Sequence, residues 1–80
     1  MTVRVLGEAK ATDTKRTLGD LERLRRIRDE VRSRGADTTG TQLALFSRTG
    51  FDKNLVQEAA DDSSVRLVTL EDMYQLLANP

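Results

Sequence analysis

Cysteine, histidine and tryptophan are absent from this 80-residue chain, and its one proline is the last residue. Without cysteine there is no disulfide and no thiol nucleophile. Without cysteine or histidine there is no zinc site of the usual kind and no imidazole acid–base catalysis. Aromatic residues make up only 4% of the chain, so the core has to be built from Leu, Val, Ile and Ala. No apolar run approaches the roughly 20 residues that span a bilayer. The N-terminus has no apolar signal-peptide core. These absences predict a cytoplasmic protein with no membrane partner. No Gly-rich phosphate loop ends in Gly-Lys-Ser/Thr, and no serine sits in a nucleophile elbow.

Charge is abundant instead, at 32% of residues, and sums to zero. It is split along the chain. Residues 1–34 carry ten basic and six acidic side chains, and residues 35–80 carry three basic and seven acidic. A basic first half can meet a phosphate backbone or an acidic partner, or the two halves can attract each other. Eighty residues form one small domain or part of a larger one. Such a chain buries only about 60% of its unfolded surface, so its stability is modest.

The order of elements reads strand, helix, strand, helix, strand, helix. The segment Val3-Arg4-Val5-Leu6-Gly7-Glu8-Ala9-Lys10 reads as the first strand, followed by a polar loop over residues 11–16. Thr17-Leu18-Gly19-Asp20 has a capping-box pattern, and Gly35 is a natural left-handed stop, so the first helix is expected to run to about Arg34. Leu18, Leu21, Leu24, Ile27 and Val31 mark its apolar face. Gln42-Leu43-Ala44-Leu45-Phe46-Ser47 is an apolar run typical of a strand covered on both faces. Asp52 is placed to cap a second helix, with Phe51 stapled to Val56. Val65 to Thr69 forms a third strand, and Thr69-Leu70-Glu71-Asp72 opens a last helix with another capping box. This alternation predicts an α/β fold in three layers, with a small and mainly parallel sheet. Ligands of such sheets gather at the carboxyl ends of the strands.

Three groups of residues lie where chemistry is possible. Strand side chains alternate faces, so Glu8 and Lys10 are expected on one side. A carboxylate can hold a hard divalent cation, and a neighbouring lysine can position a phosphate or a water. The same pair also fits a solvated strand end with a loose ion pair. Arg25, Arg28 and Arg32 recur at helical pitch beside the leucines, as a phosphate-facing edge or as solvated heads on packed stems. No aromatic residue interleaves with them, which disfavours base stacking. Arg48, in the turn Ser47-Arg48-Thr49-Gly50-Phe51, can touch a phosphate or simply connect a strand to a capped helix.

Gly7-Glu8-Ala9-Lys10 with its charged, Leu-rich helix, then Leu45-Phe46-Ser47-Arg48-Thr49-Gly50-Phe51 and Val65-Arg66-Leu67-Val68-Thr69-Leu70-Glu71-Asp72, resembles the second half of the PD-(D/E)xK nuclease-like fold. The likeness is to the C-terminal nuclease-like domain of prokaryotic AAA-like ATPases, and it covers nearly the whole chain. It implies a restriction-endonuclease-like core without the upstream hairpin, residues 1–80 being one piece of a larger domain. It implies Glu8 as metal ligand, the Ala9 carbonyl as a second ligand and Lys10 as the catalytic lysine. Mg2+ or Mn2+ is the implied cofactor, bound weakly by an incomplete site, and DNA and an ATPase region are the implied partners. The family's first aspartate has no counterpart here, so little or no cleavage by this polypeptide alone is expected. A first strand lacking its hairpin is also expected to pair with another copy, as a homodimer. The competing expectation is a non-catalytic module that binds DNA or protein through the basic first helix.

Overall fold

The computed structural model describes residues 1–9, 14–69, 71, 72 and 75. Three strands and two helices alternate: β1 (Val5–Ala9), α1 (Leu18–Ser33), β2 (Gln42–Ser47), α2 (Lys53–Asp61) and β3 (Val65–Thr69). The strands lie in the order β1-β2-β3, and both pairings are parallel. Parallel neighbours cannot be joined by a tight turn, so each helix serves as a crossover. The chain is thus a small α/β fold.

The second and third strands keep their expected limits, because both are short apolar runs bounded by polar turns. The first strand begins two residues later than its sequence pattern suggests. Val3 donates its amide to the Asp37 carbonyl at 2.9 Å, and the Thr41 hydroxyl donates to the Val3 carbonyl. The segment before β1 is therefore tied to the loop before β2. Lys10 lies outside the described residues.

Helix ends follow local chemistry. The Thr17 amide donates to the Asp20 carboxylate at 3.0 Å, and the chain leaves α1 through Gly35 at φ +97°. That conformation is open to glycine and strained for other residues. The Asp52 carboxylate accepts the Asn54 amide at 2.9 Å and starts α2. Phe51 packs on the core, whereas Val56 stays half exposed, so the expected staple contributes little. After β3, Thr69 and Asp72 exchange two hydrogen bonds of 3.1 Å, the second capping box. The helix expected beyond it lies largely outside the described residues.

Leu21 and Leu24 of α1, Leu43 and Leu45 of β2, Leu55 of α2 and Val65 of β3 form one buried cluster. Leu43 and Leu45 are two apart, so they share a face of the sheet. Both helices therefore cover that one face. Crossovers of the same hand, stepping in the same direction along the sheet, give this arrangement. The sequence pattern suggests three layers, and the described residues make two. On the opposite face the Phe46 ring lies over Gly7, where an added Cβ would sit 3.2 Å from it.

Each fully buried leucine contributes about 1.5–3 kcal/mol by leaving water. Leu45 is central in both sheet and cluster. Leu45→Ala is expected to destabilise the fold by about 2–5 kcal/mol, read as a lower urea midpoint. The exposed Val56→Ala is expected to leave the midpoint nearly unchanged.

Candidate functional site

The carboxyl ends of the strands meet the N-terminus of α1. Glu8 stands in register with Leu45. Its side chain therefore points to the helix-covered face, and it does so at the last turn of the sheet before β1 ends. There it meets two arginines rather than open solvent.

Arg16 lies just before the Thr17 cap and is fully buried. Its backbone is held by the loop before α2: the Arg16 amide donates to Gly50 at 3.1 Å, and its carbonyl accepts from Asp52 at 2.7 Å. Its guanidinium then spans two strand ends. Nε donates to the Phe46 carbonyl at 3.1 Å, Nη1 donates to Glu8 Oε1 at 3.2 Å, and Nη2 donates to the Glu8 carbonyl. Asp20 Oδ2 stands 3.8 Å from Nη1. Arg23, one helical turn after Asp20, closes the group from the solvent side. Its Nε donates to Glu8 Oε2 at 3.2 Å, and its Nη2 reaches Glu8 Oε1 and, at 3.3 Å, Asp20 Oδ1.

Two guanidinium groups thus balance two carboxylates. The Glu8 carboxyl is held below its ordinary range, first by the Arg23 hydrogen bond. Partial burial opposes this, and Arg16 adds to it. The Arg23 guanidinium is pushed up in turn, chiefly by Glu8. Both oxygens of Glu8 already accept hydrogen bonds. Two adjacent positive groups repel a further cation. A divalent cation wants six or more oxygen donors, several of them anionic. Among the described residues no group of three or more His, Cys, Asp or Glu could hold one. This donor set does not fit Mg2+ or Mn2+ in the arrangement seen. The Ala9 carbonyl, the other expected ligand, belongs to the last residue of β1.

The four arginines read as phosphate contacts do not form one row. Arg25 reaches across to α2, 3.0 Å from Glu58 and 2.8 Å from Asp62. Arg28 and Arg32 both turn to Asp29, at 3.8 and 3.1 Å. Arg32 sits in the last turn of α1, near the amino end of the sheet, whereas Arg48 follows β2 at the carboxyl end. Arg48 is exposed, and no carboxylate among the described residues pairs with it. The turn that carries Arg48 is closed on itself. The buried Ser47 hydroxyl donates to the Gly50 carbonyl at 2.7 Å and accepts the Gly50 amide at 3.0 Å.

Arg16 and Arg23 are the members of the site that the sequence pattern did not single out, and Asp20 is expected there only as part of the capping box. Arg16 sits in a polar stretch that reads as loop. Only its position directly before a capping box hints that it lies near a strand end. No helix among the described residues is long and apolar enough to cross a membrane. Comparison of the chain with family models, with curated proteins and with solved structures finds no match in any of the three.

Removing Arg16 would leave Glu8 and Asp20 without their buried partner. Arg16→Met is expected to cost about 3 kcal/mol or more, whereas Arg23→Ala, at a half-exposed position, should cost far less in the same urea titration. The Asp62 carboxyl is lowered to about 2, first by the Ser64 hydroxyl and then by Arg25. A lowered folded pKa gives stability that is present above the unfolded value and lost as pH falls through the folded one. The urea midpoint is therefore expected to fall between about pH 4 and pH 2. Asp62→Asn should flatten that part of the profile.

Proposed function

We propose that this chain is a nuclease-like module of the PD-(D/E)xK type, related to those found beside AAA-like ATPases, and that it does not cleave DNA by itself. The resemblance of Gly7-Glu8-Ala9-Lys10 and of the two downstream segments to that family supports the lineage. The small parallel α/β sheet, with Glu8 at the carboxyl end of its first strand, is compatible with a restriction-endonuclease-like core.

One observation carries the functional half of the reading. The Glu8 carboxylate is spent on Arg16 and Arg23. In that role it anchors the loop before α1 to the strand ends instead of holding a metal. A carboxylate that accepts from two guanidinium groups has little left to offer Mg2+ or Mn2+. The family chemistry of a metal-activated water therefore has no support at this position. A phosphate-binding role for Arg25, Arg28 and Arg32 gains none either, because each already faces a carboxylate of its own chain. The module's part in an assembly is then structural: it presents a folded surface to an ATPase region.

The test combines cleavage and stability. Contaminant-free protein is incubated with supercoiled plasmid in Mg2+ or Mn2+, and Glu8→Ala is compared by urea titration. The expected result is no nicking by either protein and a lower midpoint for Glu8→Ala. Metal-dependent nicking that Glu8→Ala abolishes would overturn the reading. Manganese titration followed by amide NMR separates the two roles further. Broadening spread over exposed acidic residues such as Asp61 fits the anchor, and broadening confined to Glu8 and Ala9 contradicts it.

A further inference from the structure

We draw no further inference here: the strongest candidate, the outer edge of β1 beside the exposed Val5, has no strand paired with it among the described residues, and nothing in the structure shows what covers it.

Discussion

A guanidinium group with no exposure to water is costly unless nearly all of its donors are used. Arg16 meets that requirement only if four separate parts of the chain arrive together. The Phe46 carbonyl lies one residue before the end of β2, the Glu8 carbonyl and carboxylate one residue before the end of β1, and Asp20 in the first turn of α1. The Arg16 backbone adds the loop before α2. These partners lie up to 36 positions away in sequence from Arg16. Small displacements of any of them would leave a buried charge under-bonded. The leucine cluster supplies most of the driving force, but leucines are tolerant of how they meet. Arg16 is not, so it fixes where the strand ends and the start of α1 sit relative to one another.

The same interaction decides what the carboxyl end of the sheet can do. In parallel α/β sheets this edge is where ligands collect, because loops and helix N-termini converge on it. Here it is filled by the protein's own charges. Glu8, Asp20, Arg16 and Arg23 neutralise one another, and the Ser47 to Gly50 turn consumes its own amides. A charged site that is internally balanced offers neither a strong field for an anion nor free oxygens for a cation. The open side of β1 is different. Its backbone groups have no partner among the described residues, and that makes it the more reactive surface of the two.

Much of the local architecture is legible in the amino-acid sequence alone. The runs Gln42–Ser47 and Val65–Thr69 are apolar and bounded by turns, so their limits are written in composition. Capping at Thr17, Asp52 and Thr69 depends on side chains within three residues of each helix start, and Gly35 marks a left-handed exit. Glu8 can be picked out as chemically interesting because it lies near the end of a strand. Its partners cannot. Nothing near Arg23 distinguishes it from the other basic residues around it, and Arg16 is marked only by its place directly before a capping box. Arg25 has the spacing of one tooth in a basic stripe, yet Glu58 and Asp62, more than thirty residues away, turn it into a tie between helices.

The amino-acid sequence by itself determined the kinds of element, their order, their caps and an aliphatic core, and it ruled out chemistry that needs cysteine or histidine. These follow from local sterics, hydrogen bonding within a turn, and the periodic placement of apolar side chains. Only the tertiary structure decided that both helices lie on one face and that Glu8 is held by arginines. Each of those depends on contacts between segments far apart in the chain. Local patterns do not carry that information, because the energy of a charge depends on which opposite charge the fold brings to it.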